Sequence, residues 1–249
     1  MADGFFDERI AASYDATSAQ MFDDAVLGPT VDFLASLADG RRALEFALGT
    51  GRVALPLSAR GVEVAGIELS TAMVAQLTAK PGAERIAVTI GDMATAQVDG
   101  SFGLVYLVYN TISNLLTQAE QVACFRNAAA NLDEGGHFVI EVTVPSVRRL
   151  PPGEVFVPFE VTPHHLGIDE YDVANQRLVS HHYWMTGDRV ERFDSFHRYA
   201  WPAEYDLMAE LAGLTLVERW AGWDRAPFTS ESTAHVSVWQ KQPSSSGSS

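Results

Sequence analysis

The chain has 249 residues, of which 47% are hydrophobic, and this is enough for one substantial core. The formal net charge is −15 at pH 7, and an acidic surface disfavours a polyanion, so we expect no nucleic-acid partner. The sequence has no run of about 18 apolar residues, so we also expect no membrane partner.

The start of the chain and its cysteine content both bear on location. The first ten residues, MADGFFDERI, are charged and lack the apolar run of a secretory signal. A single cysteine, Cys124, excludes an internal disulfide and is typical of a protein from a reducing compartment. These features predict a cytoplasmic protein. A helix is then predicted over residues 7–19, and a second from near Pro29 to Asp39-Gly40, because proline suits the first turn of a helix.

A glycine-rich turn follows the first predicted strand. Residues 43–48 are apolar and end in Gly49-Thr50-Gly51, after which a helical pattern starts at once. A second short apolar strand, 62–67, ends in Glu68. Glycines let a ligand approach the backbone, and the helix N-terminus presents free N–H groups. A carboxylate at the tip of the second strand is placed to bind ribose hydroxyls, so the pattern predicts a nucleoside site.

A dinucleotide-binding turn would look similar, because Gly49, Gly51 and Ala54 fit the G-x-G-x-x-G/A pattern. Two acidic residues favour a different ligand. Glu45, inside the first strand, would be poorly tolerated beside a pyrophosphate but suits a ligand that carries a cation. Asp92 follows the third predicted strand, 86–90, and is well placed for an adenine amine. The chain also lacks a tyrosine followed four residues later by lysine, the usual hydride-transfer pair.

Together these motifs resemble class I S-adenosylmethionine-dependent methyltransferases, with some similarity to amino-sugar N-methyltransferases. Motif I corresponds to residues 45–51, the acidic motif II to Glu68, and the adenine motif to 91–93. The fourth-strand motif is 102–108, and residues 132–136 lead into the fifth strand. The likeness covers roughly residues 5–145 and returns at 202–240. It departs from the commonest pattern at Ala47, where a glycine often lies.

The resemblance implies S-adenosylmethionine as cofactor and S-adenosylhomocysteine as product. It implies that Glu45 lies near the methionyl amino group, Glu68 at the ribose, and Asp92 with the Met93 backbone at the adenine. Tyr14 is expected near the methionyl carboxylate or the pocket roof. The full set of expected cofactor-binding residues is Tyr14, Glu45, Ala47, Gly49, Thr50, Gly51, Arg52, Glu68, Leu69, Asp92, Met93, Tyr109 and Asn110.

The order of predicted elements indicates an α/β fold. Strands that alternate with helices predict a Rossmann-like, doubly wound sheet, here of seven strands with the last one antiparallel. Prolines at 145, 151 and 152 break the alternation, and residues 154–200 read as short strands with turn signals between them. We expect a core of 1–145 and 201–242, an inserted antiparallel segment over 146–200, and a disordered tail over 243–249.

The inserted segment is rich in aromatic residues and histidines, as an acceptor pocket requires, so it is expected to cover the site or to form a dimer contact. His181 and His182 are candidate bases, but neighbours on a strand point to opposite faces, so only one of them can face the pocket. Glu141, near the end of the fifth strand, is a third candidate. The paired histidines lack metal-ligand spacing, and no metal is expected.

The predicted function is transfer of a methyl group to a small-molecule acceptor, at nitrogen or oxygen, by in-line displacement. A catalytically silent cofactor-binding subunit and a nicotinamide-dependent oxidoreductase are the alternatives. The sequence leaves open the acceptor, the need for a general base, and whether the protein is a monomer or a homodimer.

Overall fold

The computed structural model describes residues 7–243, which include six helices and eleven strands. The helices are α1 (Glu8–Thr17), α2 (Asp24–Ala38), α3 (Ala54–Ala59), α4 (Thr71–Thr78), α5 (Gln118–Asn131) and α6 (Pro202–Leu211). The strands are β1 (Ala43–Phe46), β2 (Val64–Glu68), β3 (Ala87–Ile90), β4 (Phe102–Leu107), β5 (Leu132–Thr143), β6 (Phe156–Val161), β7 (His165–Asp172), β8 (Arg177–Thr186), β9 (Arg189–Arg198), β10 (Leu214–Trp220) and β11 (Ala234–Lys241).

Seven strands form one sheet in the order β10-β11-β5-β4-β1-β2-β3. Strands β1 to β5 are parallel, and β11, the last strand of the chain, is antiparallel to both of its neighbours. This confirms the predicted doubly wound sheet. The order reverses between β1 and β4, and in such sheets ligands lie outside the carboxyl ends of the strands at that point.

The central strands are buried on both faces, as a parallel sheet covered by helices requires. Every residue of β1, β2 and β4 is buried. On one side of the sheet an aromatic group forms the centre of the core: Phe125 packs edge-on against Phe138 and Trp239, with ring centroids 5.0 and 5.2 Å apart. The sheet therefore gives the residues at its carboxyl edge a rigid support.

The inserted segment forms a second, antiparallel sheet in the order β6-β7-β8-β9, which confirms the predicted β insertion. Its end is fixed to the main fold by a buried arginine. Arg198, the last residue of β9, pairs with Glu204 of α6 at 2.6 Å and donates to the Gln121 side chain of α5. The antiparallel sheet is thus held close to the carboxyl ends of β4 and β5.

Two element boundaries differ from the prediction. Helix α2 begins at Asp24, where the Asp23 side chain caps the Ala25 N–H, so Pro29 lies inside the helix instead of in its first turn. Strand β5 begins at Leu132 and pairs with β4 before the glycines at 135 and 136. The expected disordered tail, apart from residue 243, and the first six residues lie outside the described range. Between residues 7 and 243, no helix is long and apolar enough to cross a membrane.

Candidate active site

A cavity open to solvent lies at the carboxyl ends of β1, β2 and β3. A 3₁₀ turn after β4, Thr111–Asn114, forms part of its wall. Seven of the expected cofactor-binding residues line this cavity: Tyr14, Ala47, Gly49, Glu68, Leu69, Asp92 and Met93. Gly91 of the predicted adenine motif also lines the cavity, and four further lining residues were not predicted: Ile67, Met73, Thr111 and Asn114.

The carboxylate of Glu68 is buried at the end of β2 and holds two backbone groups. One oxygen accepts a hydrogen bond from the Gly49 N–H at 2.7 Å, and the other accepts from the Ser70 N–H at 2.8 Å. Burial raises the pKa of Glu68, and the hydrogen bonds from Ser70 and Gly49 oppose that rise. This residue therefore links the glycine-rich turn to the start of α4.

The turn after β1 has the backbone conformation that explains its sequence. Ala47 has a φ of 53°, in the left-handed region where glycine is favoured, so alanine here is a strained substitute at a usual glycine position. Gly51 has a φ of 80°, and an added Cβ would lie 2.4 Å from the Leu77 side chain. Gly51 does not line the cavity, and its small size lets the turn pack closely against α4.

Glu45 lies under the cavity and does not line it. The carboxyl is 3% exposed and accepts a hydrogen bond from the Tyr106 hydroxyl at 3.0 Å. Burial raises the pKa of Glu45 to about 8, whereas Tyr106 and Arg52 act to lower it. Burial therefore favours the protonated form of Glu45 at neutral pH.

Helix α1 carries Tyr14 to the cavity and is tied to the glycine-rich turn. The Thr50 hydroxyl donates to Asp15 at 2.6 Å, and Lys80 pairs with the same carboxylate. Lys80 also donates to the Thr50 carbonyl oxygen at 2.8 Å. Thr50 therefore lies behind the cavity wall, where its contacts position α1.

The positively charged side chain of Arg52 lies beside both Tyr14 and Tyr109. The guanidinium of Arg52 lies 5.5 Å from the centre of the Tyr109 ring. Burial raises the pKa of the Tyr14 hydroxyl, and the positive charge of Arg52 acts in the opposite direction. Arg52 and Tyr109 do not line the cavity themselves, but they border the side on which Tyr14 lies.

The loop after β4 contains two consecutive residues in the left-handed region, Tyr109 and Asn110, with φ values of 57° and 59°. Glu141 stabilises this loop: one oxygen accepts from the Tyr109 N–H at 2.9 Å, and the other accepts from the Trp223 ring N–H at 2.8 Å. The Asn110 side chain accepts from the Thr143 N–H at 3.1 Å. Both oxygens of Glu141 are thus engaged in loop contacts outside the cavity wall.

The register of β8 separates the two adjacent histidines. His182 lies opposite Gly167 and Phe193, whereas His181 projects from the other face of the sheet. There its ring nitrogens lie 2.8 Å from Asp194 and 2.9 Å from Glu170, and these hydrogen bonds raise the pKa of His181.

His182 belongs to a hydrogen-bonded series of side chains. Its Nδ1 lies 3.0 Å from Nε2 of His165, and Nδ1 of His165 lies 3.2 Å from a carboxylate oxygen of Glu160. Burial, and then the neighbouring His165, lower the pKa of His182. The series connects the neutral imidazole of His182 with the half-exposed carboxylate of Glu160. His182 lies on the inner face of the sheet, which is the face that also carries His197 and contacts the cavity wall.

His197, which was not among the predicted site residues, joins the inserted sheet to the cavity wall. It lies near the end of β9 on the same face as His182. Its Nδ1 is 3.1 Å from Oδ1 of Asn114, and its Nε2 is 2.9 Å from the Ser195 hydroxyl. Burial lowers the pKa of His197 to about 4. No local pattern pairs His197 with Asn114, because the two residues are 83 positions apart.

A metal centre is not evident in the structure. Across residues 7–243, no group of three or more His, Cys, Asp or Glu side chains is placed to hold a metal ion.

Comparisons with known proteins agree with this geometry. Residues 43–136 match a family described as a methyltransferase domain. The CcbJ methyltransferase from Streptomyces caelestis has 38% sequence identity to this chain. Its structure superimposes with a TM-score of 0.79, and the match covers 86% of this chain and 89% of that one. A Streptomyces cypemycin N-terminal methyltransferase is 25% identical over 95% of this chain and 98% of its own length.

A third protein shares the fold at lower identity. The structure of CalS10 with bound S-adenosylmethionine, an amino pentose methyltransferase from Micromonospora echinaspora, is 23% identical. Its TM-score is 0.68, over 90% of this chain and 95% of that one. The sheet order, the acidic cavity at the switch point and the 38% identity over most of both chains lead to one assignment. The chain belongs to the S-adenosylmethionine-dependent methyltransferase family.

Proposed function

We propose that this enzyme transfers the methyl group of S-adenosylmethionine to an amine nitrogen of a small-molecule acceptor. The observation that carries the proposal is the cavity that joins Tyr14, Glu68 and Asp92 beside an antiparallel sheet with polar side chains on its inner face. Nitrogen is favoured because the cypemycin relative is named for methylation at an N-terminus. Oxygen is the second candidate nucleophile, because Asn114 lines the cavity and its side-chain amide can donate a hydrogen bond to an oxygen of the acceptor.

The residues of the cavity fit a cationic nucleoside. Gly49 lines the cavity, and an added Cβ there would have only one atom, the Ala47 carbonyl oxygen, within 4.0 Å, so its backbone is open to a ligand. The lining includes the carboxylates of Glu68 and Asp92 and no lysine or arginine, which suits a positively charged ligand better than a pyrophosphate.

Each expected contact has a residue of suitable chemistry. Glu68 would hold the ribose hydroxyls, and Asp92 with the Met93 backbone would hold the adenine amine. Tyr14 would contact the methionyl carboxylate, Arg52 would attract that carboxylate electrostatically from beside Tyr14, and Glu45 would act electrostatically on the methionyl amino group from beneath the turn. Bound there, S-adenosylmethionine supplies an electrophilic methyl group on a sulfonium.

The chain has two tasks in the reaction: to align the acceptor and to keep its amine neutral. In-line displacement requires the nucleophile, the methyl carbon and the sulfur to be collinear in a site shielded from water. We assign the shielding to Tyr14 and the inserted sheet. We assign proton removal to His182, whose neutral ring is joined through His165 to Glu160 and so to solvent.

The three base candidates thus separate by their contacts. His181 lies on the outer face of the sheet, and both of its ring nitrogens have acidic partners there. Glu141 has both oxygens engaged with the loop and with Trp223, so we assign it a positioning role. Of the three candidates, only His182 lies on the face of the antiparallel sheet that contacts the cavity wall through His197.

The test is transfer of radiolabel from S-adenosylmethionine to two amines, an aminopentose and a short peptide with a free N-terminus. We expect labelled product from at least one of them. The Asp92→Ala variant should lower the rate about ten-fold or more, because about 1.4 kcal/mol of binding energy corresponds to a factor of ten. The exposed Glu191→Ala variant is the control and should leave the rate unchanged. Cofactor binding without transfer to either amine would favour the silent subunit.

A further inference from the structure

We propose that His197 is a positioning residue that fixes the amide of Asn114, so that the site offers a hydrogen-bond donor to an oxygen at the reactive end of the acceptor. This inference rests on the proposed function and specifies the acceptor class for the same site. It starts from the contact of 3.1 Å between Nδ1 of His197 and Oδ1 of Asn114, which joins the inserted sheet to the cavity wall.

The hydrogen bonds of Ser113 favour one tautomer of His197. The Ser113 hydroxyl donates its single hydrogen to the Asn110 carbonyl oxygen at 2.6 Å. It also lies 3.4 Å from Nδ1 of His197, and towards that atom it can therefore only accept. We therefore assign the proton to Nδ1, which then donates to Asn114, while Nε2 accepts from the Ser195 hydroxyl at 2.9 Å.

The same tautomer sets the orientation of the Asn114 amide. A His197 Nδ1–H needs an acceptor, so the oxygen of Asn114 faces the histidine and not the amide nitrogen. Among the described residues, Nδ2 of Asn114 has no hydrogen-bond partner, and Asn114 lines the cavity. The NH₂ group is thus the part of this side chain that is available to a ligand.

The position of His197 is well fixed. The adjacent residue, Arg198, is buried and pairs with Glu204 at 2.6 Å, which anchors the end of β9 to α6. Burial keeps the His197 ring neutral at neutral pH, because its pKa is lowered to about 4. A neutral ring can hold one defined tautomer, whereas an imidazolium would donate from both nitrogens.

A donor at this point constrains the acceptor. An amine that attacks the methyl carbon has one lone pair, which must point along the methyl–sulfur axis, so an N–H aimed at that nitrogen would compete with the reaction. An oxygen keeps a second lone pair. The Asn114 NH₂ therefore suits an oxygen of the acceptor near the attacking amine, and a vicinal amino alcohol is the simplest probe of that chemistry.

The tautomer is tested by long-range ¹H–¹⁵N NMR on the full chain with bound S-adenosylhomocysteine. The His197 signals are identified by their loss in the His197→Asn variant. We expect the pattern of a neutral ring protonated at Nδ1, unchanged between pH 6 and pH 8. A ring protonated at Nε2, or an imidazolium at pH 6, would overturn the proposal.

The acceptor class is tested with two matched probes, trans-2-aminocyclohexanol and cyclohexylamine, with radiolabelled S-adenosylmethionine. We expect the amino alcohol to react at least ten-fold faster in kcat/KM. His197→Leu should abolish this preference without changing cofactor affinity, and His197→Asn should restore it, because its amide N–H can occupy the place of Nδ1–H. The exposed His164→Leu variant is the matched control.

Two outcomes contradict the acceptor class. Equal rates for the two probes would show that no donor acts on the neighbouring oxygen. Transfer to neither probe would exclude a simple vicinal amino alcohol. The same samples are titrated with S-adenosylmethionine in the calorimeter, so failure of the acceptor class, with cofactor binding intact, is distinguished from failure of the proposed function.

Discussion

The carboxylate of Glu68 accepts a hydrogen bond of 2.7 Å from the backbone N–H of Gly49, which lies 19 residues earlier in the chain. The contact joins the end of β2 to the turn after β1, and both residues line the cavity. The residue proposed to hold the ribose therefore also shapes the turn that the cofactor approaches. If Glu68 holds the ribose as proposed, cofactor binding and the conformation of this turn are coupled through one side chain.

Cofactor affinity should depend on the contact between α1 and the turn. Lys80→Met removes the ion pair with Asp15 and the hydrogen bond to the Thr50 carbonyl oxygen, which together hold Tyr14 over the cavity. We expect a three- to ten-fold weaker affinity for S-adenosylmethionine by calorimetry. The loss of unfolding free energy should be small, about 0.2–1 kcal/mol, because the pair is partly exposed. The exposed Arg189→Met variant should change neither quantity.

Arg198 should contribute strongly to stability. Its side chain is 6% exposed, and its partner Glu204 is 15% exposed, so removal of the arginine leaves a carboxylate with little access to water. Arg198→Met is expected to lower the free energy of unfolding in urea by about 3–5 kcal/mol. Arg192→Met is the comparison, since Arg192 is exposed on the same strand, and it should have little effect. Equal effects of the two variants would contradict the anchoring role.

Stability should fall as the pH drops from about 6.5 to about 4, in part because of His197. Its pKa is lowered from 6.5 to about 4 by burial, so in this window the unfolded chain binds a proton that the folded chain excludes. The contribution is at most about 3 kcal/mol across the window. Urea unfolding at pH 7 and pH 5 should show a smaller pH effect in His197→Asn than in the wild type. An equal dependence of the unfolding free energy on pH in both proteins would exclude His197 as a source of that dependence.

Binding of S-adenosylmethionine should release a proton from Glu45. Its pKa of about 8 means that the carboxyl is mostly protonated at pH 7. A cation brought close to it favours the carboxylate and lowers that pKa. We expect release of up to about one proton per cofactor, seen as different calorimetric enthalpies in phosphate and in Tris at pH 7. Glu45→Gln should abolish the difference, and identical enthalpies for the wild type in both buffers would contradict the electrostatic role of Glu45.

The sequence predicted the parts of the site that depend on local order along the chain. The turn at Gly49 and the carboxylate of Glu68 follow consecutive strands, so a parallel sheet brings them together without further information. The predicted start of α2, near Pro29, was wrong because Asp23 caps the helix further upstream. The helix accommodates Pro29 in its interior. Contacts across the chain had no such signal: Glu141 and Trp223 are 82 residues apart.

The contact of His197 with Asn114 likewise had no signal in the sequence, because the two residues are 83 positions apart. Period-two alternation on a strand separates two faces but does not say which face lies over the cavity. That depends on how Arg198 anchors β9 to α5 and α6, a tertiary contact that no motif encodes. No sequence pattern therefore pointed to His197.

The cavity at the carboxyl ends of β1, β2 and β3 is proposed to bind S-adenosylmethionine through Glu68. Calorimetric titration of the wild type and of Glu68→Ala with S-adenosylmethionine and S-adenosylhomocysteine tests it most directly. We expect micromolar binding of both ligands by the wild type. The affinity of the variant should be at least ten-fold weaker, a difference of about 1.4 kcal/mol or more. Equal affinity in the two proteins, or binding of NADH in place of S-adenosylmethionine, would contradict it.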